Sequence, residues 1–256
     1  MIGVLIQVLV LLAGLALLFR YARRTDDNLW LILTAFAFAA MMLSDLYYMA
    51  HTALLEGVRV PFAANDIADF GSFLLLGAAL SAAVGLKRGR FPGVTVAAIV
   101  FGLANIALWI GWSGEWVRDI FGGLPFAWFI CACFQSLYQT PAVTGAERGA
   151  FWALCGLICL LQTGTFFTAA PLSAALDTVC YVLLTAGEVW VLLRGVLSLR
   201  AGRSPDAAAA LGFTGLLWIY ICMYMAEGVI YEVYSNLSTL HQLLLLLALR
   251  KKVKQP

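Results

Sequence analysis

Apolar residues along this chain gather in long runs separated by short polar stretches, and a helix needs roughly 20 apolar residues to cross the hydrocarbon core of a bilayer. Measured against that length, the pattern predicts spans near 2–19, 29–49, 70–86, 93–112, 120–138, 150–167, 174–193 and 207–227. A ninth segment, 231–249, starts polar and ends in the run Leu243 to Leu247, which hydropathy alone would assign to a short helix lying at the interface. The expected fold class is all-α, a polytopic transmembrane helical bundle.

Charge decides the ninth segment. Basic residues concentrate in cytoplasmic loops. Arg20, Arg23 and Arg24, then Lys87, Arg88 and Arg90, then Arg148, then Arg194, Arg200 and Arg203, then Arg250, Lys251, Lys252 and Lys254 follow spans 1, 3, 5, 7 and 9; they are 14 of the 16 Lys and Arg. The alternate loops hold Arg59 and Arg118 beside Glu56, Asp66, Glu115, Asp119 and Glu232. The basic tail shares a side with the other clusters only if 231–249 crosses. The expectation is therefore nine spans, with the N-terminus outside and the C-terminus inside. Eight spans with an interfacial tail is the alternative, and it would put that tail outside. Loops are short and nothing resembles a linker, so residues 1–256 are expected to form one integral membrane domain, with 250–256 a short basic cytoplasmic tail.

Composition agrees. Hydrophobic residues make up 63% and charged residues 12%, with a mean hydropathy of +0.92, against about 25% charged in soluble domains. A net charge of +2, spread in small clusters beside apolar runs, does not suggest a nucleic-acid partner. The six cysteines all lie in apolar segments without a Cys-x-x-Cys pair and read as small packing residues. Two histidines cannot supply a three-histidine zinc site. No nucleophile elbow occurs, and no cofactor is expected. The first apolar run has neither a preceding basic residue nor a small-residue cleavage site, so it is expected to remain as span 1.

Candidate chemistry clusters first between Asp45 and Asp69, where Asp45, Glu56, Asp66, Asp69 and His51 fall within 25 residues. At about 100° per residue, Thr34, Phe38, Met41, Asp45 and Tyr48 share one face of span 2, so Asp45 leads inward from the outer rim. Asn65, Asp66 and Asp69 open span 3, where capping and the helix dipole already favour them. Gly77, Ser81 and Gly85 form a small-residue stripe for close packing on the same span. Span 4 places Asn105, Trp109 and Trp112 together, and Asn105 is expected to bond to another helix. On span 7, Asp177, Tyr181, Thr185 and Glu188 make a polar stripe; Glu188 lies deep, where an ionisable group faces the bundle interior and has a partner. Tyr220, Tyr224, Glu227 and Tyr231 share a face if span 8 continues past Glu227. Asp45, Asp66, Asp69, Asp177 and Glu227 all approach the outer level. Together with Tyr48, Trp109, Tyr181, Tyr220 and Tyr224 they predict an acidic, aromatic vestibule for a small cationic or amphipathic ligand. The alternative use of His51 and His241, as metal ligands beside Asp45 or Asp69, has no supporting spacing, because no His-x-x-x-His or Glu-x-x-His pair occurs.

One stretch resembles the multi-pass membrane input modules of bacterial signalling proteins: Asp45 followed by Tyr47, a short loop with Pro61, then a helix start bearing Asp66 and Asp69. The resemblance covers about a tenth of the chain and implies sensing from the outer face. Only seven residues follow Leu249, so signalling is expected to need a separate partner protein. The leading expectation is a bacterial inner-membrane protein in a lipid bilayer, binding a small molecule as a stand-alone sensor or accessory protein. Coupled secondary transport through Glu188 is the second reading, and a metal-dependent membrane hydrolase built on His51 and His241 is the third.

Overall fold

The computed structural model describes residues 2–54, 64–86, 92–140, 143–200, 204–226 and 228–254. Among them every regular element is a helix: α1 (Ile2–Ala22), α2 (Leu29–Leu54), α3 (Ala64–Val84), α4 (Pro92–Ser113), α5 (Trp116–Gln139), α6 (Gly145–Phe166), α7 (Leu172–Arg200), α8 (Pro205–Tyr224) and α9 (Gly228–Lys254). The first eight are long and apolar enough to cross a membrane. The chain is thus a multi-pass helical membrane protein.

Helix α8 sits at the centre. Every residue from Ala207 to Cys222 is buried, which is what a helix apolar on all sides achieves only when other helices surround it. Neighbouring helices contact one another in the order α9, α1, α2, α3, α5, α4, α6, α7 and back to α9, and α8 packs inside that circuit against α3, α5, α7 and α9. Close approach is made possible by absent side chains. A Cβ on Gly187 of α7 would sit 2.6 Å from Cε2 of the fully buried Trp218, whose Nε1 donates to Leu184 O at 3.0 Å. On α8, a Cβ at Gly212 would lie 3.3 Å from the Leu245 Cα of α9.

The contacts of α9 show why so polar a helix belongs in the bundle. Thr185, Glu188 and Ser198 of α7 meet Tyr234, His241 and Lys251 of α9 in that order, so the two helices run parallel. Gly3 and Gly14 of α1 likewise lie against Asn236 and Leu246. At 27 residues, α9 is roughly 40 Å long, and it runs beside α1 and α7 through the depth of the bundle rather than across its end. Polar α9 residues that would be costly in lipid are directed at other helices instead.

Three local expectations are corrected. Gly85 is not part of a packing stripe: with φ +57 it terminates α3, and Leu86 N donates back to Ser81 O at 3.0 Å, the left-handed helix end that glycine adopts without a Cβ penalty. Asn105 bonds within its own helix, Nδ2 to Phe101 O at 2.8 Å. Span 8 does not continue to Tyr231: α8 stops at Tyr224, and α9 begins anew at Gly228 with φ +56.

Candidate functional site

The ends of α2, α4 and α8 and the starts of α3, α5 and α9 meet at one end of the bundle, around a cavity of about 460 Å³. That volume is within the range of small-molecule sites. The opposite end is where the described basic residues of α1, α6, α7 and α9 lie, and much of it is stitched shut. Arg194 pairs with Glu147 at 3.0 Å, Lys251 Nζ donates to Ser198 O at 3.0 Å, Lys252 pairs with Asp206, and Arg148 donates to Thr140 O at 3.0 Å.

Each wall of the cavity follows from a local feature. The first turns of α3 bring in Asn65, Asp66 and Asp69, because the helix starts at Ala64, earlier than hydropathy suggests. The last turns of α2 contribute Tyr47, Tyr48, His51 and Thr52, with the Tyr47 and His51 rings 5.8 Å apart. The α4–α5 turn, made at Gly114 with φ +72, adds Ser113, Arg118 and Asp119. There Ser113 Oγ donates to Asp119 Oδ2, Arg118 bonds to Asp119 Oδ1 at 3.4 Å from both Nε and Nη2, and Arg118 Nη1 lies 2.6 Å from Glu115 Oε2. The guanidinium is thus shared by two carboxylates of its own turn. Among the lining residues Asp66, Asp69 and Asp119 face this one arginine and one histidine, so the field in the cavity favours a cation.

The remaining wall is aromatic. Trp109 and Tyr224 lie 4.7 Å apart between ring centroids, and both touch Phe126, at 5.2 and 5.8 Å. Tyr220 packs edge-on against Phe73 at 5.0 Å. Phe73 and Phe126 are fully buried behind them, which holds the lining rings in place. Trp112, Tyr231 and Phe70 complete the surface.

Of the residues expected from the sequence, Tyr48, Asp66, Asp69, Trp109, Tyr220 and Tyr224 line this one cavity. Asp45 lies one turn along α2 from Tyr48 and outside the lining, close enough for its charge to bear on the Tyr220 phenol; its Oδ2 is buried without a hydrogen-bond partner among the described residues. Asp177, Tyr181 and Glu188 are not in the lining. Glu227 lies outside the described residues. The two histidines do not come together: His51 lines the cavity, whereas His241 is held by Glu188, its Nε2 2.5 Å from Oε1. Among the described residues no group of three or more His, Cys, Asp or Glu side chains is placed to hold a metal.

Sequence reasoning passed over Tyr47, Arg118, Asp119, Gly122 and Gly123 as lining residues. Arg118 and Asp119 carried a signal, since hydropathy puts both between spans 4 and 5, on the same side as Asp66. The two glycines carried none, because their role is to admit neighbouring side chains: a Cβ at 122 would collide with Phe70 and one at 123 with Ile106. The chain matches no family model, no curated protein and no solved structure.

Proposed function

We propose that this protein binds a small cationic or amphipathic molecule in the cavity between α2, α3, α4, α5, α8 and α9, as a stand-alone sensor or accessory protein of a bacterial inner membrane. The observation that carries the reading is the joining of three carboxylates and an aromatic wall around one cavity. With the basic end inside, the cavity faces the exterior. A cation is drawn in by Asp66, Asp69 and Asp119, sheds water, and rests against the faces of Trp109 and Tyr224, where ring quadrupoles replace part of its hydration. A bound ligand bridges the start of α3 to the ends of α4 and α8, so occupancy changes the relation of helices that reach the opposite end. A separate partner protein reads that change. Coupled transport rests on Glu188, which stands apart from the lining and is held by His241; binding without transport is the better supported reading.

The test uses purified protein in nanodiscs, screened by thermal shift and titration calorimetry against phenethylamine, choline and spermidine, with phenethyl alcohol and phenylacetate as neutral and anionic counterparts. At least one cation is expected to bind while its counterparts do not. Asp69→Asn is expected to weaken that binding by about 1–3 kcal/mol, the loss of a charged contact in a partly dry site, and Trp109→Ala by a similar amount. Equal binding of the neutral or anionic counterpart, or no effect of Asp69→Asn, would overturn the proposal.

A further inference from the structure

We infer that Glu188 and His241 together form a proton-binding site, separate from the cavity and loaded from the cavity's end of the bundle along the contact between α7 and α9. The inference does not depend on the cavity having a ligand.

Glu188 and His241 are 3% and 2% exposed, and His241 Nε2 lies 2.5 Å from Glu188 Oε1. Two lone pairs cannot face each other at that distance, so one proton lies between the two atoms. With that proton and one on Nδ1 the unit is neutral overall. A second proton on the carboxyl leaves imidazolium beside carboxylic acid, a net positive charge; loss of the Nδ1 proton leaves carboxylate accepting from the Nε2–H of a neutral imidazole, a net negative one. Either charge is costly among packed helices at membrane depth. Gain or loss of a single proton therefore changes the force between α7 and α9. Glu188 Oε2 is buried with no hydrogen-bond partner among the described residues, which leaves an acceptor for the second proton. The imidazole is seated against the α8 backbone: a Cβ on Gly215 would be 2.5 Å from His241 Nδ1. Small movements of the ring are thereby felt by the central helix.

The route to the pair is polar towards the cavity's end and interrupted by apolar residues towards the other. Towards the cavity's end, Thr185 Oγ1 and the Tyr234 hydroxyl are 2.8 Å apart, and Tyr234 lies within electrostatic reach of Glu188, Tyr181 and Cys222. Tyr181 and Asp177 continue the same face of α7 to its first turns. Towards the basic end, Gln242 lies beside the pair and Ser198 near the end of α7; the buried residues between them are Val191 of α7 and Leu245, Leu246, Ala248 and Leu249 of α9, none able to pass a proton. The other titratable groups near the pair are few. Cys222 faces it from α8 and interacts with Cys180, Cys180 interacts with Asp177 on α7, and α1 carries none before Arg20.

The experiment is nitrogen NMR of histidine-labelled protein in nanodiscs, where only two side chains contribute and loss of a signal in His241→Gln assigns it. The His241 resonance is expected to change with pH in the wild type, and the midpoint of that change to move in Glu188→Gln. After a pH jump, its equilibration is expected to slow at least tenfold in Thr185→Val with Tyr234→Phe, and to be unchanged in Ser198→Ala at the basic end. A His241 signal constant with pH, a midpoint indifferent to Glu188→Gln, or equal rates in the Thr185/Tyr234 and Ser198 variants would each overturn the inference. Should Glu188→Gln not fold, infrared difference spectra of the wild type decide in its place. A carboxyl change at the pH where His241 titrates is expected, and a histidine change without it overturns the site.

Discussion

Gly122 and Gly123 are neighbours on α5, both buried, yet a methyl group added at each should have opposite consequences. At Gly122 the new Cβ would collide with the edge of the Phe70 ring; Cδ1, the farthest of the three crowded ring atoms, would be at 2.8 Å. Even that atom must retreat by about 0.6 Å to regain ordinary van der Waals contact. Phe70 lines the cavity, so the ring has open space to move into. At Gly123 the Cβ would strike Ile106, with Cδ1 at 2.9 Å. Ile106 is 7% exposed and does not line the cavity. Overpacking by one methyl in a filled region costs about 1–3 kcal/mol, and for Gly123→Ala that cost falls on folding. For Gly122→Ala the displaced ring occupies the cavity, so stability should fall by less than ~1 kcal/mol. The same steric cost then appears on ligand entry, as a Kd about 5- to 150-fold weaker. Helix propensity favours alanine over glycine equally at both sites, by up to about 1 kcal/mol, and cancels in the comparison. Reversible unfolding in mixed micelles measures the first effect, and calorimetry with whichever cation binds the wild type measures the second. If Gly122→Ala is as destabilised as Gly123→Ala, Phe70 has no cavity to enter and the geometry of this wall is refuted.

Two further outcomes follow from the bundle itself. His241→Leu should destabilise the protein by about 3–5 kcal/mol, because it leaves a buried carboxylate without its partner, and adding Glu188→Met should recover most of the loss; unfolding measurements in which the double variant is no better than the single would count against the pairing. Reporters active on only one side of the membrane, fused after Gly89, Gly202 and Pro256, should all report the cytoplasm, and a C-terminal reporter read outside would mean that α9 does not cross the membrane.

How legible each part was depends on which force shaped it. Helices α1 to α8 were legible because hydrocarbon imposes a length of apolar sequence on anything that crosses it, and the eight predicted spans fall on eight helices, with shifts at their ends. Helix α9 was not legible from hydropathy, since its polar residues answer to neighbours rather than to lipid: Tyr234 to Thr185, His241 to Glu188, Asn236 to the space above Gly3. Only the placement of the basic residues argued that it crosses. For the site, alternation of helix direction supplied most of the information. Once the spans are threaded up and down, the ends of even helices and the starts of odd ones must share a level, which is how Tyr48, Asp66, Asp69, Trp109 and Tyr224 came to be grouped before any distance was known.

What alternation cannot supply is which of those groups converge, and the break between α8 and α9 shows why. A continuous helix through residue 227 would place Tyr220, Tyr224 and Tyr231 on one straight face. The chain instead leaves the helix after Tyr224 and turns at Gly228 in a conformation that favours glycine, so Tyr231 descends on a different helix and reaches the same cavity from another wall. Asp177 makes the converse case. It occupies the same level as Asp66, but α7 lies across α8 from α3, and its stripe is directed along α9 instead of into the cavity. Level is set by hydropathy and is readable along one dimension. Convergence is set by which helix packs on which, and here that depends on glycines at positions 122, 187, 212 and 215 whose contribution is the side chain they lack.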